Sequence, residues 1–388
     1  MRQGHPFWQA PHRPLFLLAA LSALAVPAVW LVPHGTGPEP VSWHLRELTF
    51  GMGGAAVGGY LLTSLPSWTR QGPVAPQLTM AMCALWCLSR VSFFWAEHVP
   101  YAVLAVGTQA YLAALVVLLG WTIGELRLWP KVWLVAAIGV LIASDLAYLG
   151  HLHRHGASSF RAMEIVLAFA LLISLVGGRA VPAFTRSWLA RQSVPGRMRE
   201  RTALSVLATV LLICGGLLAA VGRERPAGAF LMLSGALQLA RSTGWKTWRV
   251  RRYPALLLLH LAWLWLPVGL MLVGLAMMQP AWMPLPAALH ALTMGAMGTM
   301  ILAIMARSAM ARRDDILVLN KRLGLAFALV WLSALLRVSA PFAPSDVPDP
   351  IHASAVLWMA GWLLFLWVYV PSLRGPYPRP VLSARLGA

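Results

Sequence analysis

Apolar residues in this chain are grouped into runs of about twenty, and the polar residues are collected into the short segments between them. A helix needs about 20 apolar residues to cross the hydrocarbon core of a bilayer. The runs fall near 14–33, 48–66, 76–96, 100–121, 131–150, 162–178, 202–221, 227–243, 255–277, 284–306, 321–341 and 351–371. The sixth and eighth are the weakest, being short or closely flanked by charge. The pattern predicts an all-α polytopic membrane protein with about twelve transmembrane helices, forming a single transmembrane domain over 1–388. The first run has the length of a full span and lacks a small-residue cleavage site, so it reads as a helix rather than a signal peptide.

Composition supports this reading. Of the 388 residues, 59% are hydrophobic and only 11% charged, with a mean hydropathy of +0.70. A soluble domain carries roughly 25% charged residues. The net charge of +19 would suggest a nucleic-acid partner in a soluble protein, but its distribution points elsewhere. With the N-terminus inside, the cytoplasmic segments hold 24 Lys and Arg. The periplasmic ones hold 5: Arg46, Arg154, Arg161, Arg223 and Arg225. That asymmetry predicts both termini in the cytoplasm of a bacterial inner-membrane protein. The basic loops then face anionic lipid headgroups, and no nucleic-acid partner is expected.

Ionisable residues at membrane depth are costly and usually face a cavity, a partner or a cofactor. His44 and Glu47 are predicted to open the second helix, and His290 to lie about two turns into the tenth. Arg90, Asp145, Arg337 and His352 fall at similar outer depth, whereas His260 falls near the cytoplasmic end of the ninth helix. Two imidazoles at matching depth, His44 and His290, could ligate one iron. Arg90 and Arg337 could then pair with haem propionates. The competing reading is interfacial snorkelling, with the two arginines in a structural ion pair with Asp145. Cys83, Cys87 and Cys214 lie within predicted helices without a CxxC or CxxCH pattern and read as packing residues. The run HLHRHG (151–156) reads as a periplasmic loop. Histidine-rich tracts can bind metal, but this one has no Cys or carboxylate beside it. His5, His12, His34 and His98 read as solvated, and most of the 19 tryptophans as an interfacial belt. No hydrolase, P-loop or dinucleotide motif is present, so no reaction is assigned. One internal similarity stands out. The second helix runs into GGYLLTSLPSWTR (58–70) and the sixth into GGRAVPAFTR (177–186); the tenth shares only a basic finish. Helices 2, 6 and 10 are spaced by four, which would fit three four-helix units.

Several segments together resemble the NnrS family of haem- and copper-containing membrane proteins linked to nitric oxide and denitrification. They are PHRPLFLLAAL (11–21), the WHLREL–FG stretch (43–51), GGYLLTSLPSWT (58–69), GGRAVPAFT (177–185), RYPALLLLHLAWLWLPVGLML (252–272), HALTMGAMGTMILAIMAR (290–307) and WVYVPSLRGP (367–376). The resemblance implies haem b held by His44 and His290, with Glu47 orienting His44, and a role in nitrosative stress in which nitric oxide or another diatomic gas is the small partner. It also brings His260 in as a candidate metal ligand. Arg46 and Arg312 stand where the family's pattern has further histidines. A guanidinium is a poor ligand, so the resemblance supports haem better than copper. Twelve helices with histidines at the outer ends of the second and tenth look like the low-spin haem site of haem–copper oxidase subunit I, a likeness of fold only. The alternative class is a metal-free transporter or assembly scaffold. Prolines interrupt the helices of many transporters; here they cluster at helix ends, with Pro267 the main interior exception.

Overall fold

The computed structural model describes residues 6–31, 39–156, 162–192, 198–314, 316–344, 349–375 and 381–382. Its long helices are α1 (His12–Ala25), α2 (Pro40–Thr69), α3 (Pro76–Phe94), α4 (Tyr101–Glu125), α5 (Val132–His155) and α6 (Met163–Arg191). They continue as α7 (Thr202–Ala220), α8 (Glu224–Ser242), α9 (Pro254–Met278), α10 (Leu285–Ala309), α11 (Lys321–Ser339) and α12 (Pro350–Ser372). Ten of these regions are long and apolar enough to cross a membrane. The other two are α1, which is shorter, and α8, whose polar ends lower its hydropathy. The chain is an all-α, multi-pass membrane protein. A two-stranded antiparallel hairpin, Ala311–Arg313 with Ile316–Val318, is the only sheet among the described residues.

The burial pattern is that of a bilayer protein. Val106, Val117, Val206, Leu217 and Val356 are exposed on the outside of their helices, while Arg46, Asp145, Gln109, Gln238, Arg241 and Arg307 are buried. Helices suit this setting because each satisfies its backbone polar groups internally.

The chain divides into two compact units. One gathers the described residues of Met1–Ile165 and Leu366–Pro378, the other those of Val166–Phe365 and Arg379–Ala388. In the first, α1 lies on α2: Phe16 packs where a side chain at Gly59 would stand, and the Tyr111 ring of α4 does the same at Gly58. Tyr369 donates to the His12 carbonyl at 2.9 Å, fastening the end of α12 to the start of α1. In the second, α8 and α9 approach backbone to backbone. A methyl group at Gly228 would meet the Gly274 carbonyl at 2.7 Å, and one at Gly274 the Gly228 carbonyl at 2.5 Å. Small residues permit such approach between membrane helices.

Three boundaries differ from the sequence reading. Helix α2 begins at Pro40 rather than near 48, because Glu39 caps it: its carboxylate accepts from Val41 N at 2.9 Å and Ser42 N at 2.7 Å, with Pro40 at the first helical position. Helix α6 is a 29-residue element that continues through Gly177–Gly178 and Pro182, and its most apolar 18-residue stretch has a mean hydropathy of 2.1. The HLHRH run is the last turn and a half of α5, not a loop.

Candidate functional site

His44 is half-buried in the second turn of α2. Residues Glu47–Gly53 beyond it are π-helical, a wider turn that shifts the register of the rest of the helix. Around that turn sits a buried ionic network within the first unit. Arg46 is fully buried and grips Asp145 of α5 with both ends of its fork, Nε to Oδ1 at 2.8 Å and Nη2 to Oδ2 at 2.5 Å. Gln109 of α4 donates to the same Oδ2 at 2.5 Å, and the Phe93 ring lies 4.0 Å from the guanidinium carbon. Arg90 of α3 pairs with Glu47 at 3.2 Å. Trp86 donates to the Gly51 carbonyl at 3.0 Å and Tyr111 to the Gly54 carbonyl at 3.2 Å. The expected partners of the ions are thus rearranged. Asp145 is held by Arg46, which the sequence pattern places in a loop, and not by Arg90 or Arg337. Glu47 is held by Arg90. Two N–H groups, Arg46 Nη1 and Arg90 Nε, stay buried without an acceptor among the described residues.

His290, in the second unit, occupies the second turn of α10, and it too is succeeded by π-helical residues, here Ala291–Gly298. Its Nδ1–H donates to the Pro286 carbonyl at 2.6 Å, which leaves the ring's lone pair on Nε2. The two π turns share a sequence that the likeness between helix ends does not reveal. Leu48-Thr49-Phe50-Gly51-Met52-Gly53-Gly54 and Leu292-Thr293-Met294-Gly295-Ala296-Met297-Gly298 both read Leu-Thr-x-Gly-x-x-Gly. In each, the threonine hydroxyl donates to the carbonyl four residues back, at 2.7 Å from Thr49 and 3.1 Å from Thr293. A tryptophan meets the first glycine of the motif in both. Trp86 bonds the Gly51 carbonyl, whereas the Trp265 ring stands where a side chain at Gly295 would be, its indole N–H buried without an acceptor among the described residues. The histidines escape a simple repeat search because they sit four and two residues before their motifs.

His260 is buried in α9 and its ring is bracketed by hydroxyls. Thr185 already donates to the Val181 carbonyl at 2.8 Å, so it accepts from His260 Nε2–H at 2.9 Å. Thr247 then donates to Nδ1, also at 2.9 Å. This tautomer, assigned from the network, uses both nitrogens. The GGRAVPAFT segment that supplies Thr185 has a second task. Pro182 has no N–H, so the Gly178 carbonyl four residues back loses its helical donor. Arg241 of α8 supplies the missing bond through Nη2 while its Nε holds Glu200 at 2.7 Å, and Gly178 leaves room for the guanidinium.

The remaining candidates are dispersed. Arg337 is half-buried in the last turn of α11, and His352 is exposed beside Asp349. Arg312 lies in the hairpin and donates to the Val381 carbonyl at 3.3 Å. His98 is exposed as expected, but His12 is buried at the start of α1. His5 and His34 lie outside the described residues. Cys83 is buried and Cys87 exposed. Among the described residues no group of three or more His, Cys, Asp or Glu stands where it could hold a metal ion.

His290 carries its lone pair on Nε2, and Arg90 has a buried N–H without an acceptor among the described residues. Arg46 offers no lone pair and is committed to Asp145. No curated relative matches the chain. A family model described as NnrS protein matches residues 6–376. The chain therefore belongs to the NnrS family.

Proposed function

We propose that this protein binds haem b near the periplasmic face of the bacterial inner membrane and acts in nitric oxide or nitrosative-stress physiology. His44 and His290, each taken within its own unit, are the residues that would hold the iron. The observation carrying the reading is the His290 ring, whose Nδ1–H is held by the Pro286 carbonyl so that Nε2 has the lone pair. A backbone acceptor on the other ring nitrogen is how proteins orient a ligating histidine. Arg90 brings a buried donor for a propionate, and Arg337 is the second candidate for that role. Glu47 accepts from Arg90 Nη1 at 3.2 Å and so sets that guanidinium, and it keeps the proposed role of orienting His44. Haem, once bound, would supply electron transfer or diatomic-gas sensing.

The test is an optical spectrum of the detergent-purified protein with pyridine-haemochrome analysis, repeated on His44→Ala and His290→Ala. A Soret band that is lost or shifted in both variants is expected. A protein with no Soret band, or a band indifferent to either substitution, overturns the reading.

A further inference from the structure

Between α8 and α9 the chain reads Trp-Lys-Thr-Trp-Arg-Val-Arg-Arg-Tyr (245–253). The proposed haem site makes no use of this segment. Lys246 takes left-handed backbone at φ 55°, and a one-turn helix, Thr247–Val250, follows. The turn divides the side chains between two sides. Trp245, Val250 and Tyr253 are buried, whereas Trp248 is 74% exposed and Arg249, Arg251 and Arg252 are exposed as well. The inner side is fastened within the second unit. Trp245 donates to Glu200 Oε2 at 3.0 Å, Thr247 donates to His260 Nδ1 at 2.9 Å, and Tyr253 stacks on Trp188 with ring centroids 6.0 Å apart. A fixed backbone therefore presents the outer side. There the Arg251 guanidinium carbon lies 3.9 Å from the centroid of the Trp248 ring.

We propose that this outer side is a binding site for the headgroups of anionic phospholipid, with Trp248 in the headgroup layer and the three arginines on the phosphates. Position supports a lipid. Arg252 stands two residues before Pro254, which opens a 25-residue helix whose most apolar stretch has a mean hydropathy of 2.2. The segment thus lies where the chain enters the bilayer, the level at which indole rings settle. Charge supports an anionic one. No Asp or Glu occurs between Glu224 and Asp314, and Glu200 is held by Arg241 and Trp245. None of Arg249, Arg251 and Arg252 has an acidic partner among the described residues. A guanidinium matches a phosphate with two parallel hydrogen bonds, and basic segments beside a span attract anionic lipid. An acidic protein would answer the charge but gives no reason for an indole displayed at membrane level. An excess of basic residues in a loop decides only the side on which the loop lies; here a pinned turn holds three guanidiniums and a ring outward together. The inference is independent of the haem.

The test places the full-length protein in phosphatidylcholine nanodiscs that carry a fixed fraction of lipid brominated near the headgroup end of its acyl chains, either phosphatidylglycerol or phosphatidylcholine. Bromine quenches nearby indoles, and the difference between the parent and Trp248→Phe isolates the Trp248 signal. Stronger quenching by phosphatidylglycerol than by phosphatidylcholine at the same fraction is expected. That preference should fall about fivefold for each arginine removed in Arg249→Gln, Arg251→Gln and Arg252→Gln, since a basic residue near an anionic surface is worth about 1 kcal/mol. It should also weaken with salt. Hydrogen exchange over 246–252 should slow in phosphatidylglycerol nanodiscs for the parent and not for the triple variant, and exchange within α9 checks the fold of each protein. Equal quenching by the two lipids, or a preference that survives in the triple variant, would overturn the inference. So would an unquenched Trp248 in a protein that binds polyglutamate, which would assign the surface to an acidic partner.

Discussion

Helices α2 and α10 carry the same Leu-Thr-x-Gly-x-x-Gly π turn after a histidine, but the groups packed against the two turns differ in kind. The α2 turn is set in charge: Arg46 with Asp145, Arg90 with Glu47, and a tryptophan N–H on the Gly51 carbonyl. The α10 turn is set in aromatic surface, with Trp265 against Gly295 and Trp358 against Gly298. The backbone device is therefore separable from its electrostatics. A widened turn needs glycines where neighbours press in, and either ion pairs or rings can do the pressing. Ion pairs fix orientation by direction, rings by shape.

That contrast sets the size of the expected effects. The largest comes from removing one charge at α2. Asp145→Leu strands the Arg46 guanidinium in a buried site, at a cost of about 3–5 kcal/mol. Arg46→Leu combined with Asp145→Leu should recover much of that loss. Denaturant unfolding in detergent reads both; equal destabilisation of the single and double variants would show that the pair is not the source. Next in size is Gly295→Leu. Overpacking against Trp265 should cost about 1–3 kcal/mol, and Trp fluorescence should change while the Asp145 variants leave it alone. A Gly295→Leu protein as stable as its parent would break the proposed equivalence of the two glycines. The smallest effect belongs to neither turn and serves as a baseline. Asp349 caps α12, accepting from Ile351 N at 2.8 Å and from His352 Nδ1 at 2.6 Å, and these bonds hold its carboxyl below the usual carboxylate range. Because the folded pKa is lowered, the cap's contribution is present above the unfolded carboxylate pKa and is lost as pH falls through the folded one. Hydrogen exchange in the first turn of α12 should rise on acidification in the parent and be flat in Asp349→Ala.

The positions of the helices are legible in the sequence because hydropathy reports what each segment must exclude from water. The interior is less so. Arg46 resembles a loop charge since hydropathy scores a residue without its partner, and Asp145 lies 99 positions away. His12 resembles a solvated residue for the same reason: what buries it comes from distant parts of the chain. The start of α2 is in principle readable from Glu39 and Pro40, a capping acceptor followed by a residue that needs no donor, but the charges at 46 and 47 argue for an interface. The repeated motif at 48–54 and 292–298 sits inside its helices, where the likeness between helix ends gives no sign of it. His260 can be placed in a helix, but the hydroxyls of Thr185 and Thr247 on its two nitrogens cannot be read from spacing.

Pro182 and Arg241 show what such distant dependence means for the history of the chain. Arg241 fills a vacancy in α6 that exists only because Pro182 created it. Replace the proline, and a restored amide competes for the Gly178 carbonyl and releases a buried cation. Replace the arginine, and the carbonyl is left unserved. Neither change is neutral alone, so the two positions behave as one inherited character. Among relatives they should be kept together or exchanged together, and an intermediate carrying only one of them would be under pressure to regain the other.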